Sequence, residues 1–109
     1  MNNDKPEKDI QADILAYLRT LGIRHTVTDA ATNWKIHRRK TKRSWPDITG
    51  ILLGGKALLI EVKTKTGGFK PGQEEMLDDL SSTGAEVIVA RSVEDVAKRL
   101  AKYYGKCEV

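Results

Sequence analysis

Apolar residues recur at helical spacing in the first part of the chain. They stand three or four positions apart, at Ile10, Ile14, Leu18 and Leu21. This spacing places them on one face of a helix. The preceding segment Asp4–Glu7 predicts the helix start, with Asp4 as capping residue, a proline in the first turn and Glu7 at the capping-box position. Gly22 is expected to end the helix.

The rest of the chain alternates between short apolar runs and turn signals. Strand-like runs occupy residues 23–28, 47–53, 57–63 and 85–90. Two more helices are expected, one opening at Pro71 and one capped at Ser92. The order helix, strand, strand, strand, helix, strand, helix predicts an α/β fold whose mixed central sheet is flanked by helices. Residues 30–45 show no period and predict a long loop.

The length of 109 residues suits one domain with one core, which we expect to span residues 1–109. No apolar run approaches the ~18 residues that a membrane span needs. The N-terminus has no apolar signal segment. We therefore expect an intracellular protein without membrane contact. The single cysteine, Cys107, predicts no internal disulfide.

The positive charge is concentrated in one segment. The chain carries 19 basic and 15 acidic residues, yet no acid lies between Asp29 and Asp47. That interval contains six cations: Lys35, Arg38, Arg39, Lys40, Lys42 and Arg43. A clustered basic patch indicates a polyanionic partner, so these six residues are expected to contact a nucleic-acid backbone. Trp34 is a candidate for stacking on a base, whereas Trp45 is expected to pack in the core.

The predicted hairpin of residues 47–63 is largely apolar but carries three charges near its open end. Asp47 opens the first strand, and Glu61 and Lys63 lie near the end of the second. A buried, unpaired carboxylate costs several kcal/mol or becomes protonated. Glu61 therefore needs a partner, which is either Lys63 on the same strand face or a metal ion. Alternatively, this is an edge strand whose Glu–Lys pair faces water.

The length of the hairpin loop decides whether the charges meet. A two-residue turn at 54–55 would place Asp47 and Glu61 on opposite faces of the sheet. A three-residue loop over 54–56 places them on the same face, with Asp47 opposite Lys63. Three-residue loops with glycine in the left-handed region are common. We therefore predict this loop, or a bulge with the same effect.

Two neighbouring carboxylates repel each other and favour a divalent cation. Their hard oxygen ligands suit Mg²⁺ or Mn²⁺. Such an ion polarises a phosphodiester and activates water. Lys63, on the same face, can orient the water or stabilise the charge that develops on the phosphate. The hairpin therefore predicts a metal site for phosphodiester hydrolysis.

The same residues resemble a known pattern. Pro46-Asp47, followed after a hairpin by Glu61-Val62-Lys63, resembles the PD-(D/E)XK nuclease superfamily. Further pieces make nearly the whole chain similar to a stand-alone VRR-NUC domain. They are Glu7-x-x-Ile10-Gln11, Thr64-Lys65-Thr66-Gly67, Gln73, Gly84-Ala85-Glu86-Val87 and Ser92-Val93-Glu94-Asp95.

The resemblance implies a restriction-endonuclease-like αβββαβ core with a mixed central sheet. It implies that Asp47, Glu61 and the main-chain carbonyl of Val62 bind the metal, and that Lys63 is the catalytic lysine. Stand-alone members of the family resemble Holliday-junction resolvases in fold and often act as homodimers on branched DNA. The family pattern does not include the basic segment.

Two further residues are candidates for the site. Glu7 shares the inward stripe of its helix, so it either completes the metal site, directly or through water, or caps the helix with Asp4. Gln73 precedes Leu77 by four positions, so it either reaches the phosphate or a carboxylate, or faces solvent at a helix start. The resemblance favours the site for both residues.

These observations predict a metal-dependent endonuclease that acts as a homodimer on structured or branched DNA such as Holliday junctions. One alternative is a nuclease that acts on flaps, single strands or RNA. Another is a nucleic-acid-binding module without catalysis, although a binder gains nothing from two carboxylates held close to phosphate.

Overall fold

In the described part of the chain, three helices and four strands follow one another in the predicted order. The computed structural model describes residues 4–28 and 45–105. The elements are α1 (Glu7–Thr20), β1 (Arg24–Val27), β2 (Ile48–Ile51), β3 (Ala57–Val62), α2 (Gln73–Ser82), β4 (Glu86–Ala90) and α3 (Val93–Tyr104). The six cations of the basic segment, together with Trp34, His37 and Cys107, lie outside the described residues.

The four strands form one mixed sheet in the order β1-β2-β3-β4. β1 pairs antiparallel with β2, and β2 pairs antiparallel with β3. β3 and β4 are parallel. A parallel pair needs a crossover connection, and α2 supplies it. The carboxyl ends of β3 and β4 therefore lie side by side, which places the residues after each strand close together.

The main hydrophobic core lies on one face of the sheet. It joins the inward stripe of α1 to α3 and to alternate residues of the strands, including Ile14, Ile48, Ile60, Ile88 and Leu100. Because strand side chains alternate between faces, Glu61 points away from this core. In the described part of the chain, no helix has the length and apolar character that would let it cross a membrane.

The starts of α1 and α3 differ from each other. The N-cap of α1 is Pro6, which makes no side-chain cap bond, so the predicted capping box of Asp4 and Glu7 is wrong. Glu7 is instead the exposed first residue of the helix. The predicted cap of α3 is confirmed, because the Ser92 side chain accepts the N–H of Asp95.

The loop between β2 and β3 has three residues but begins one position earlier than predicted. It comprises Leu53–Gly55 and is closed by a hydrogen bond of 2.8 Å from the N–H of Leu52 to the carbonyl of Lys56. Gly54 and Gly55 have φ of +87° and +89°. Both positions favour glycine, so both lie inside the loop, and extended Lys56 returns to the strand.

This shift of the loop changes the strand register by two residues. Ile48 pairs with Ile60, so Asp47 stands level with Glu61 rather than with Lys63. The predicted partner of Asp47 is therefore wrong. A shift of two residues preserves the face, and the prediction that Asp47 and Glu61 share a face is confirmed.

Trp45 is not a core residue, which corrects the prediction made for it. Its side chain is 38% exposed, and its Nε1 donates a hydrogen bond of 3.1 Å to Thr49 Oγ1. Pro46 and Ile48 are buried. The alternation that buries these two residues directs Trp45 to the opposite face, on the same side as Asp47 and Thr49.

A buried carboxylate joins α3 to the start of β4. Glu86, only 4% exposed, accepts hydrogen bonds from Arg99 and, at 2.7 Å, from the Tyr103 hydroxyl. The Nζ of Lys102 lies 3.1 Å from Glu86 Oε1, the oxygen that also accepts the Tyr103 hydroxyl. Burial alone would raise the pKa of Glu86, but the bonds from these three donors outweigh it and hold the pKa below the usual 4.5.

We expect Glu86→Gln to lower the free energy of unfolding by about 1–2 kcal/mol at pH 7. Since the pKa is lower in the folded state, the contribution of the ionised group is present above pH 4.5 and is lost as the pH falls through the folded-state pKa. The difference from wild type in urea denaturation should therefore shrink between pH 7 and pH 3. Exposed Glu75→Gln is the control. An equal difference at both pH values would contradict this assignment.

Candidate active site

Asp47 and Glu61 stand side by side on the face of the sheet opposite the main core. Asp47 directly precedes β2, and Glu61 is the second-last residue of β3. The pairing of Ile48 with Ile60 sets the two acids opposite each other. The Oδ2 of Asp47 accepts the N–H of Val62 at 2.8 Å. This bond attaches the side chain of Asp47 to β3, so its position is fixed by the strand rather than by a loop.

Gln73 connects Glu61 to Lys63. Lys63 Nζ donates to Gln73 Oε1 at 2.7 Å, and Gln73 Nε2 donates to Glu61 Oε2 at 3.1 Å. Lys63 Nζ lies 3.5 Å from the same Glu61 oxygen. The exposed fraction is 7% for Lys63, 4% for Glu61 and 7% for Gln73. They form a closed polar triangle, in which a buried cation and a buried anion satisfy each other.

The start of α2 places Gln73 in this triangle. The chain turns at Gly72, which has φ of +86°, and the helix begins at Gln73. The backbone N–H of Lys70 donates to the same Oε1 at 2.7 Å. The amide oxygen thus accepts two hydrogen bonds, and its orientation is fixed from both sides. The prediction that Gln73 faces inward is confirmed, while its role in catalysis stays a prediction.

The two carboxylates resist ionisation. Burial, followed by the negative charge of Asp47, raises the pKa of Glu61 to about 7, against the opposing effect of Lys63. Burial also raises the pKa of Asp47, although the hydrogen bond from Val62 and the charge of Lys63 oppose this. Like charges this close favour a shared proton. Near neutral pH, a proton or a bound cation would therefore reduce the repulsion between the two carboxylates.

The donor set suits a hard divalent cation. Asp47 and Glu61 supply carboxylate oxygens, and a cation there would relieve the repulsion that raises the pKa of Glu61. Within residues 4–28 and 45–105, no group of three or more acidic, histidine or cysteine side chains could hold a metal. Mg²⁺ retains several waters and binds through one or two carboxylates, so two acids with a main-chain carbonyl at Val62 are compatible with it.

Glu7 does not join the two carboxylates in a three-acid group. It is exposed at the start of α1, although its charge is among those that raise the pKa of Glu61. Its direct ligation is therefore not supported, and a role through water stays a prediction. His25, on β1, bonds through Nδ1 with the carbonyl of Ile23 at 2.8 Å.

Sequence reasoning missed two neighbours of the site. The ring of Phe69 lies 5.3 Å from Lys63 Nζ, within the range of a cation–π contact. Arg91 follows β4 and bonds to the turn after Lys63. One signal was available for Arg91, because the residue after a buried parallel strand lies beside the end of its neighbour. The loop path that brings in Phe69 has no such signal in the sequence.

The fold is a mixed four-stranded sheet flanked by helices, and a solved structure described as a VRR_NUC domain protein shares it. The two align with a TM-score of 0.69 over 97% of this chain and 93% of that chain, at 20% sequence identity. At this identity the likeness concerns the fold. No protein-family model and no curated protein matches the sequence.

The Glu61 carboxyl should titrate near pH 7 when its ¹³C resonance is followed in the presence of EDTA. Asp47→Asn should lower this pKa because it removes a neighbouring negative charge. Lys63→Met should raise it because it removes the neighbouring cation. Exposed Asp78→Asn and Lys98→Met serve as controls and should leave it unchanged. A wild-type midpoint near the usual 4.5, or a shift in the wrong direction, would refute the electrostatic description.

Proposed function

We propose that this protein is a metal-dependent nuclease that hydrolyses phosphodiester bonds in structured or branched DNA. The observation that carries the proposal is the placement of Asp47, Glu61 and Lys63 on one sheet face, with Gln73 joining the last two. Glu61 is buried and Asp47 is half-buried, and carboxylates with raised pKa values beside a lysine are typical of functional sites. The shared fold with a VRR_NUC domain protein supports the same class of activity.

Asp47, Glu61 and the carbonyl of Val62 would hold Mg²⁺ or Mn²⁺. When bound, the ion supplies Lewis-acid polarisation of the phosphate and lowers the pKa of a water molecule. The N–H of Val62 bonds to Asp47, so Asp47, which precedes β2, is anchored to the strand that carries Glu61. This arrangement keeps their separation constant, which two acids on separate loops would not achieve.

Lys63 is suited to stabilise charge on the reacting phosphate. Its ammonium carries three donors. One bonds to Gln73 Oε1 and a second faces Glu61 Oε2, which leaves a third donor for a phosphate oxygen or the attacking water. A fixed cation at a low-dielectric site stabilises the negative charge that develops during hydrolysis. Gln73 acts as the positioning residue for this lysine.

We also propose the substrate and the assembly, from the charge of the sequence and from symmetry. The six cations between residues 35 and 43 would bind phosphates along the DNA backbone. A homodimer would bring two equivalent sites to a branched substrate, so that both strands of a four-way junction are cut symmetrically. A nuclease specific for flaps, single strands or RNA is the alternative within the same chemistry.

A binding module without catalysis is the second candidate function, and the site argues against it. The buried Glu61 and the half-buried Asp47 would repel a DNA phosphate, and their raised pKa values indicate that both resist ionisation. A protein that only bound DNA would gain affinity by losing them. The presence of both acids beside Lys63 is explained when they act on phosphate through a cation.

Incubation with labelled four-way junction, flap, single strand and linear duplex should reveal cleavage with Mg²⁺ or Mn²⁺ and none with EDTA. We expect the junction to be cut fastest, because a dimer presents two sites with matching symmetry. RNA versions of the single strand and duplex test the alternative specificity. Failure to cut any substrate with either ion, while binding persists, would favour the binding module.

Asp47→Asn should reduce cleavage by about 100-fold or more and weaken Mg²⁺ binding in calorimetry.

Lys63→Met should reduce the turnover number by about 100-fold with a smaller effect on Mg²⁺ affinity. Both variants should bind DNA with near wild-type affinity, measured by fluorescence anisotropy without divalent ions. Asp78→Asn and Lys98→Met are charge-matched controls. Full activity in either site variant would exclude the role given to that residue.

A further inference from the structure

We propose that Arg91 is a positioning residue for the candidate active site. Its guanidinium clamps the turn of residues 64–67, and this clamp fixes Lys63 and Gln73 on either side of the turn. The activity part of this inference rests on the nuclease function proposed above. The clamp itself follows from the contacts of the described residues.

The clamp consists of hydrogen bonds from one nitrogen to several carbonyls. Arg91 Nη1 donates to the carbonyl oxygens of Thr64 and Gly67, each at 2.7 Å. The carbonyl of Lys65 lies farther away, at 3.4 Å. The three acceptor residues lie 24 to 27 positions before Arg91 in the sequence. Three backbone carbonyls converge on one cation, so the curvature of the turn depends on a side chain from β4's end.

The turn is tight from within as well. The N–H of Gly67 donates to the carbonyl of Thr64 at 3.2 Å, the same oxygen that Arg91 holds. A Cβ at Gly67 would lie 2.8 Å from Thr64 Oγ1, closer than real Cβ contacts. The two ends of the turn therefore lie close together, and a displacement of its carbonyls would be passed to both ends.

Both ends of the turn lead directly into the polar triangle. Lys63 immediately precedes the turn, and its backbone N–H bonds to the carbonyl of Ala90, next to Arg91. On the other side, the chain places Phe69 beside Lys63 Nζ and the N–H of Lys70 on Gln73 Oε1. Gln73 in turn contacts Glu61. A movement of the turn would thus move two of the three members of the triangle.

The cap of α3 separates the backbone role of Arg91 from its side-chain role. The N–H of Arg91 donates to Asp95 Oδ2 at 2.8 Å, and substitution of the side chain leaves this bond in place. The effect of a side-chain variant therefore falls on the turn rather than on the helix start. Arg91→Met removes all side-chain donors and keeps an unbranched apolar chain. Arg91→Lys retains up to three donors on a shorter side chain.

Hydrogen exchange of the wild type and three variants tests the clamp without reference to activity. In Arg91→Met, the amides of Gly67 and Lys70 should exchange at least about tenfold faster, while the slowest core amides change much less. Arg91→Lys should restore part of the protection. Arg99→Met is the matched control, because the Arg99 guanidinium donates to Glu86 and to the carbonyl of Val87 near the start of β4, rather than to the turn. It should not selectively expose these two amides.

Kinetics of DNA cleavage then test positioning. Arg91→Met should lower kcat by about tenfold or more with KM for DNA within about twofold, because a displaced lysine loses transition-state contacts rather than substrate affinity. Arg91→Lys should recover part of kcat, and Arg99→Met should keep kcat near wild type. Unchanged exchange at Gly67 and Lys70, or faster exchange with an unchanged kcat, would overturn the inference. If the wild type cleaves nothing, the nuclease proposal fails, and the exchange data alone decide the clamp.

Discussion

Asp47 and Glu61 stand level because β2 and β3 pair in one register, and the three-residue loop at Leu53–Gly55 sets that register. Side chains on a strand alternate between faces, so a slip of one residue would separate the two carboxylates across the sheet. The glycines at positive φ keep the loop at this length, because residues with a Cβ rarely adopt that conformation. The electrostatics of the site depend on this loop.

The arrangement costs stability. Because the pKa of Glu61 is raised to about 7 from 4.5, the folded state binds this proton more strongly than the unfolded chain does. Its contribution to stability is therefore greatest at low pH and is lost as the pH rises from 4.5 through about 7. A cation bound only by the folded state would offset the loss by mass action. Local destabilisation that a ligand relieves is typical of functional sites.

Periodicity and turn residues predicted the elements of this fold, because local signals were strong at each of them. Ser92 is an N-cap with its partner in place, and the stripe of α1 is buried as expected. The predicted cap of α1 was wrong because Pro6, rather than Asp4, occupies the N-cap position. The hairpin register was wrong by two residues because sequence counting could not decide which three residues around the glycine pair form the loop.

Prediction of the site was limited in a different way. The alternation of side chains along paired strands predicted that Asp47 and Glu61 share a face. Helical spacing left the direction of Gln73 open, and the family resemblance favoured the site, where Gln73 contacts Glu61. Trp45 was misplaced because its hydrophobicity outweighed the alternation set by buried Pro46. The contacts of Phe69 and Arg91 depend on the path of the loop between β3 and α2, which is fixed by tertiary hydrogen bonds rather than by any local period.

The position of the site within the sheet has a topological cause. β3 and β4 are the parallel pair of the described sheet, so the residues after both strands emerge at the same edge. The connection that leaves this edge after Lys63 leads to α2, whose first residue is Gln73. Arg91 leaves the same edge from β4 and bonds to that connection. In an open sheet with parallel strands, the carboxyl ends are where functional groups gather from separate parts of the chain. Here the crossover connection supplies Lys63 and Gln73, and the antiparallel hairpin supplies Asp47 and Glu61. The residue after β4, Arg91, supplies the clamp that holds Lys63 and Gln73 in position.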